Sequence, residues 1–260
     1  MVETTYHVQT PGSSVPFSSF ALLADFHNGD PLPVLHSLNK HHPDFICIAG
    51  DLVRGRLPES GLLVGEQTNV LPLLTGCISI APTFMSLGNH ENILCEEDIA
   101  VIRSTGTILL DNEWAEWNDI HIGGLTSHQV LEHRAFREAH PSQERYPHSM
   151  YDPLWTYEKK PDTGWLNAPV SGYKILLSHH PEYYPMIPEG IDLVCSGHAH
   201  GGQWCFFGRG LYAPGQGWFP KYTSGIHGGR LIVSRGLTNS AGVPRINNPT
   251  EIVYVLPISA

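Results

Sequence analysis

Five short apolar runs in this chain each stop at a residue able to bind a cation. That pairing of buried strand and polar exit constrains the fold more than any other feature. The runs are Leu22-Leu23-Ala24-Asp25-Phe26-His27, Phe45-Ile46-Cys47-Ile48-Ala49-Gly50-Asp51, Phe84-Met85-Ser86-Leu87-Gly88-Asn89-His90-Glu91, Ile175-Leu176-Leu177-Ser178-His179 and Val194-Cys195-Ser196-Gly197-His198-Ala199-His200. A brief apolar run ending at Gly, Asp or Asn reads as a buried strand passing into a loop. In open α/β sheets, loops at the carboxyl ends of the strands gather at one crevice. Residues far apart in sequence therefore converge. Two Asp, one Asn and four His form a nitrogen/oxygen donor set without thiolate, suited to two transition-metal ions such as Mn, Fe, Zn or Co.

The rest of the chain supports a layered α/β fold. Phe17 to Ala24, Phe45 to Ala49 and Pro82 to Ser86 read as core strands. Pro31 to Lys40 reads as a helix with Asp30 at the N-cap and Pro31 at N1. Pro58 to Leu74 and Glu96 to Ser104 read as further helices, and Thr107 to Leu110 and Ile120 to Gly123 as further strands. This βαβαβ alternation is the signature of an α/β architecture. Residues 1 to 16 form either a loose lead-in or an edge strand. After Ser127 to Ala139, read as a helix, the stretch from His140 to Ala168 has few apolar runs and many aromatics. The segment at about 128–170 is thus a candidate lid or a local insertion. The core pattern resumes at Tyr173, with strand-like runs at Leu231 to Ser234 and Ile252 to Leu256. No repeat or linker divides the 260 residues, so a single domain spanning 1–260 is expected.

Composition narrows the function. A net charge of −10 argues against broad nucleic-acid binding, which needs a basic face. It leaves a small phosphoester substrate open, because metal ions supply local positive charge. Cys47, Cys77, Cys95, Cys195 and Cys205 form no C-x-x-C pair and read as buried reduced thiols. No apolar stretch approaches the ~18 residues needed to span a bilayer, so no membrane anchor and a cytoplasmic location are expected.

The spacing permits specific chemistry. Asp25 and His27, two apart in an extended chain, face the same side. Gly50 allows a sharp turn beneath Asp51. Asn89 offers a neutral oxygen that limits negative charge in a crowded site. Together, Asp25-x-His27, Gly50-Asp51, Gly88-Asn89-His90-Glu91, His179 and Gly197-His198-x-His200 resemble the five-part signature of the calcineurin-like metallophosphoesterases, in the family's order. Any one element is weak, whereas all five in order, each after a strand-like run, are specific.

The resemblance implies a four-layer α/β/β/α sandwich with two mixed sheets. It implies that Asp25, His27 and His200 bind a first metal, that Asn89, His179 and His198 bind a second, and that Asp51 bridges them. His90 then faces substrate as an acid or hydrogen-bond donor to the phosphoryl group. The expected reaction is phosphoester hydrolysis, with preference for diesters. Two cations about 3.5–4 Å apart acidify a shared water to hydroxide and clamp the phosphoryl oxygens for in-line attack. Glu91 or another carboxylate is expected to hold the His90 ring. Downstream, Gly201-Gly202-Gln203, Ala213-Pro214-Gly215-Gln216-Gly217, Phe219-Pro220-Lys221-Tyr222 and Ser234-Arg235-Gly236-Leu237 resemble the C-terminal blocks of one bacterial branch. The competing readings are a metal-dependent nuclease and a non-catalytic scaffold of the same fold.

Several residues admit two readings. His180 rivals His179 as a ligand, with His179 favoured because it ends the apolar run. His41 and His42 suit a helix C-terminus. His128, His133, His140 and His148 read as surface or lid residues. Arg54, Arg56, Lys221 and Arg235 read either as phosphate contacts or as surface residues. Trp114, Trp117, Trp155 and Trp165 read as core rather than as stacking platforms.

Overall fold

The computed structural model describes residues 1–10, 17–55, 61–139 and 160–259. Arg56, His140, His148, Trp155 and the middle of the expected lid lie outside them. The strands are β1 (Val2–Thr10), β2 (Phe20–Leu23), β3 (Phe45–Ala49), β4 (Thr83–Ser86), β5 (Ile108–Leu110), β6 (Glu113–Trp117), β7 (Ile120–Leu125), β8 (Tyr173–Ser178), β9 (Leu193–Ser196), β10 (Cys205–Phe206), β11 (Arg209–Gly210), β12 (Tyr212–Ala213), β13 (Gly217–Trp218), β14 (Gly225–His227), β15 (Leu231–Val233) and β16 (Glu251–Ser259). The helices are α1 (Pro31–His41), α2 (Leu63–Glu66), α3 (Val70–Ile80), α4 (Glu96–Ser104) and α5 (His128–Ala139). Among these, no helix is long and apolar enough to cross a membrane.

Two mixed six-stranded sheets form, in the orders β1-β16-β2-β3-β4-β5 and β14-β15-β9-β8-β7-β6. β2 to β5 run parallel in the first, and β7, β8, β9 and β15 run parallel in the second. β2, β3, β4 and β9 are buried along their whole length because both of their faces are covered. Phe20, Leu22, Phe45, Cys47, Phe84, Ile122, Ile175, Leu177 and Ile232 meet between the sheets. The alternate residues Ala21, Leu23, Ile46 and Ile48 pack outward against Val34 and Leu38 of α1 and Leu73 and Leu74 of α3. Over the second sheet, Leu176, Val194, Leu231 and Val233 are covered by Tyr183, Ile187, Ile191 and Tyr222. The α/β/β/α order holds, but this outer layer is built from the 3-10 turn Pro181–Met186 and loops in place of long α-helices.

α1 begins as read, with Asp30 accepting from the Leu32 amide (3.0 Å) and Pro31 in the first turn. It ends at His42 in the left-handed region, φ 46°. His41 donates little to the cap; its ring stacks on Tyr254 and its Nε2 lies 3.0 Å from Glu3. The single helix read at 58–74 is two, α2 and α3. The break is pinned by the Asn69 amide donating to Asn28 Oδ1 (2.9 Å) and by Gln67 pairing with both backbone groups of Arg54 (2.7 and 2.9 Å). Residues 2–10 take the edge-strand alternative, as β1 beside β16. β6 was absent from the sequence reading; it folds back from β7 through Asn118, at φ 51°. Cys47, Cys77 and Cys195 are buried, whereas Cys95 and Cys205 are only half-buried.

Candidate metal centre

The exits of β2, β3, β4, β8 and β9 supply the seven residues singled out above. The first three strands are adjacent and parallel in one sheet, and the other two in the facing sheet. Ligand-type atoms of Asp25, His27 and His200 lie within 4.8 Å of one another, and so do those of Asp51, His179 and His198. His27 Nε2 stands 3.9 Å from Asp25 Oδ1 and 3.7 Å from Asp51 Oδ2, joining the two groups. Asn89 opens the turn after β4. Its neighbour Gly88 nests so tightly that a Cβ there would collide with Asp51 Oδ1 and lie 2.9 Å from the His179 ring.

The chain does not leave β2 extended, as the spacing argument assumed. Asp25 (φ 53°), His27 (45°), Asp51 (54°), His198 (63°) and His200 (47°) are all left-handed. Non-glycine residues seldom take this conformation, and it concentrates at functional sites. Here it curls the strand exits so that side chains two apart reach a common point.

Ring orientation is fixed from behind. His179 Nδ1 bonds the Ala49 carbonyl (2.7 Å) and His27 Nδ1 the Val53 carbonyl (3.2 Å). A carbonyl only accepts, so each Nδ1 carries a proton, and in the neutral ring each Nε2 turns a lone pair inward. Those Nε2 atoms and Asn89 Oδ1 are buried without a hydrogen-bond partner. His179 Nε2 lies 3.1 Å from Asp51 Oδ2, so a lone pair faces a carboxylate. Buried polar atoms are seldom left so. A cation between them resolves the repulsion, and the donor set fits a transition-metal ion.

The electrostatics agree. Burial opposes ionisation of Asp51, yet the His179, His90 and His27 rings outweigh it and hold its carboxyl well below the usual range. Burial, reinforced by Asp51, raises that of Asp25. His179 is driven against the cost of its burial to about 10 by Asp51 and Asp25. Without a cation, that proton sits on Nε2 and relieves the repulsion, so a bound cation would take its place on the neutral ring. Burial lowers His27 to about 4 and His200 to about 3, aided by His90 and Arg245 respectively, and both rings are neutral at about pH 7.

His90 is half-buried, with Nε2 3.8 Å from Asp51 Oδ2 and its ring edge-on to His27 at 4.5 Å. Its Nδ1 accepts from the Gly55 amide (2.6 Å), so Nε2 carries the proton. Of the carboxylates expected to hold this ring, Glu91 does not, and Asp51 is the one that faces it. Glu91 instead accepts four backbone N–H groups: Asp51 (2.8 Å) and Gly88 (2.7 Å) on Oε2, Leu52 (2.8 Å) and Val53 (3.2 Å) on Oε1. It ties the β3 exit to the β4 exit.

His180 turns away from Asp51, bonding Ser127 Oγ (2.8 Å) and Glu182 Oε1 (3.2 Å). Glu182, unremarked in the sequence, also lies 3.8 Å from His198 Nε2, and His180, Glu182 and His198 form a further group of ligand type. Arg245 was missed as well: it donates to His200 Nδ1 (3.0 Å) and to the carbonyls of Arg235 and Thr238. Arg54 Nε donates to the His27 carbonyl (3.0 Å). Lys221 lies over Tyr222, and Arg235 Nε lies 3.9 Å from Glu251. Trp114, Trp117 and Trp165 are half-buried and pack against the core, in keeping with the core reading. His133 is buried, contrary to the surface reading. No local signal marks Arg245, whose partner His200 lies 45 residues away, and the contact that brings Glu182 to the site, with His198, spans 16 residues.

Comparison with known proteins gives one family match: the calcineurin-like phosphoesterases, over residues 18–202. An uncharacterized metallophosphoesterase of Aquifex aeolicus (strain VF5) is 25% identical over 224 residues, covering 83% of this chain and 73% of that protein. One of Helicobacter pylori (strain J99 / ATCC 700824) is 29% identical over 248 residues, covering 90% of this chain and 58% of that protein. A solved structure described as a novel archaeal phosphodiesterase overlays with a TM-score of 0.38 at 13% identity, over 87% of this chain and 89% of that one.

Proposed function

The chain belongs to the calcineurin-like phosphoesterase family, and on that premise we propose that it is a metal-dependent phosphodiesterase with a two-cation centre. Asp25, His27 and His200 would hold one ion, Asn89, His179 and His198 the other, and Asp51 both. The observation that carries this reading is the convergence of the buried His27 Nε2, His179 Nε2 and Asn89 Oδ1 on two buried carboxylates, with His27 Nε2 and Asn89 Oδ1 lacking any hydrogen-bond partner. When bound, two such ions activate water and neutralise phosphoryl charge. Manganese, iron, zinc and cobalt all suit the donors.

The chain's own residues do the rest. Carbonyls of Ala49 and Val53 aim His179 and His27. The Gly55 amide keeps the His90 proton on Nε2, where it can be donated to a phosphoryl or leaving-group oxygen. The arginines beside the site are bonded to backbone carbonyls, Arg54 to His27 and Arg245 to Arg235 and Thr238. A monoanionic diester asks less of such a site than a dianionic monoester. Protein stripped by chelator and resupplied with each metal in turn tests the reading. We expect turnover of bis(p-nitrophenyl) phosphate to return and to exceed that of p-nitrophenyl phosphate. No turnover with any metal, despite two bound ions, would overturn it.

A further inference from the structure

Directly beside His200 the fold leaves a cavity of about 260 Å³. Its walls include Trp204, Tyr212, Pro214, Trp218 and Val243. The indoles of Trp204 and Trp218 are inclined at 30° with centroids 6.4 Å apart. That is at the wide end of direct ring stacking and near the ~7 Å that a planar group held between two rings would need, from two contacts of about 3.5 Å. Tyr212 stands edge-on to Trp218 at 5.5 Å. Two polar groups of the wall are engaged elsewhere: Gln203 Nε2 donates to Asn239 Oδ1 (3.3 Å) and the Val243 carbonyl (2.6 Å), and Trp204 Nε1 to the Pro244 carbonyl (3.1 Å). A ligand held here meets almost wholly apolar surface, which penalises a nucleobase, sugar or peptide. The volume exceeds the ~150 Å³ that accepts benzene.

We propose that this cavity holds an apolar, aryl-sized ester group of the phosphodiester substrate. His200 belongs both to the cavity wall and to the candidate metal cluster, so a phosphorus seated at the metals sets one ester arm at the cavity mouth. The inference rests on the proposed phosphodiesterase reading and adds the chemical class of one arm. Trp218 is 63% exposed, so its replacement spares the core.

The test uses non-hydrolysable phosphonates on metal-loaded protein, by calorimetry. Naphthylmethylphosphonate is expected to bind about ten- to a hundredfold tighter than methylphosphonate, the gain from burying an aromatic ring. That ratio should fall to near one in Trp218→Ala and in the cavity-filling Ala241→Trp. Equal affinity for the two phosphonates, a ratio that survives both variants, or a nucleoside phosphonate binding as tightly as the naphthyl compound would overturn the proposal. Quenching of tryptophan fluorescence by neutral 1-naphthol, in metal-free protein, reads the cavity alone. Naphthol binding that is lost in Trp218→Ala, with neither phosphonate bound by loaded protein, would sustain the cavity and sink the metal reading. Phosphonates binding without size preference would do the reverse.

Discussion

Replacing Glu91 with glutamine changes one atom at the joint between two strand exits, and the structure fixes what that atom does. Each carboxylate oxygen accepts two buried amides, Asp51 and Gly88 on one, Leu52 and Val53 on the other. A glutamine keeps one oxygen and sets an N–H₂ against the remaining pair, leaving two buried donors unaccepted. At about 1–3 kcal/mol for each unsatisfied buried group, the loss is about 2–6 kcal/mol, a large share of the ~5–15 kcal/mol of a typical domain. Relief from burying a charge works in the opposite direction and favours the lower half of that range. Urea unfolding of metal-free protein measures it as a fall in midpoint at constant slope, with Glu116→Gln, an exposed position on β6, as the control expected to stay within about 0.5 kcal/mol. Metal affinity should fall together with stability, because the same clamp sets Asp51 against Gly88. A loss below about 1 kcal/mol with metal binding unchanged would refute the argument.

Asp51→Asn should reduce tightly bound metal below two ions per chain, measured by elemental analysis after gel filtration; two ions retained would remove Asp51 from the bridging position. His90→Ala should keep the metal content yet slow hydrolysis of diesters with poor leaving groups by about 10²–10⁴-fold, and an unchanged rate would dismiss His90 as a proton donor. Glu3 is held down to about 2 by Lys40, His41 and Ser37. Its contribution to stability is therefore complete above its ordinary value near 4.5 and disappears as the pH falls through about 2. Glu3→Gln should flatten that part of the acid-stability curve, and an identical slope in both proteins would show that the β1–α1 tether is not felt.

The elements most legible in the sequence are those buried on both faces. β2, β3, β8 and β9 are unbroken apolar runs because each lies between another sheet and an outer layer. β1, exposed on most of its length, and β6, with Glu113 and Glu116 facing water, lack that mark. The split between α2 and α3 depends on Asn28 and Gln67, contacts that helical periodicity does not carry. The same divide runs through the site. Each inward side chain ends a strand and was readable, whereas what aims it comes from elsewhere: Gly55 for His90, Arg245 for His200, Glu91 for the Asp51 turn. The indoles that line the cavity beside His200 are Trp204 and Trp218, while Trp114, Trp117 and Trp165, weighed from sequence, pack half-buried against the core.

The left-handed strand exits explain why such support is needed. In an extended strand, residues two apart are separated by about 6.6 Å, so Asp25 and His27 would address different points. Curling the backbone at both brings their ligand atoms within 4.8 Å. It also turns their carbonyls out of the sheet ladder, each to be satisfied or to cost energy, on top of roughly 1–3 kcal/mol per strained residue. The fold meets both demands with residues distant in sequence. The Asp25 carbonyl accepts from the Thr238 amide (3.2 Å) and hydroxyl (3.0 Å), the His27 carbonyl from Arg54 Nε (3.0 Å), and the His27 amide donates to the Asp51 carbonyl (3.1 Å). Arg54, which the sequence leaves open as a phosphate contact or a surface residue, thus holds the curl in place. The convergence of the ligands and the burial of these outer contacts are one property of the fold, because the strand exits stay curled only while Thr238, Arg54 and the Glu91 clamp hold them from outside.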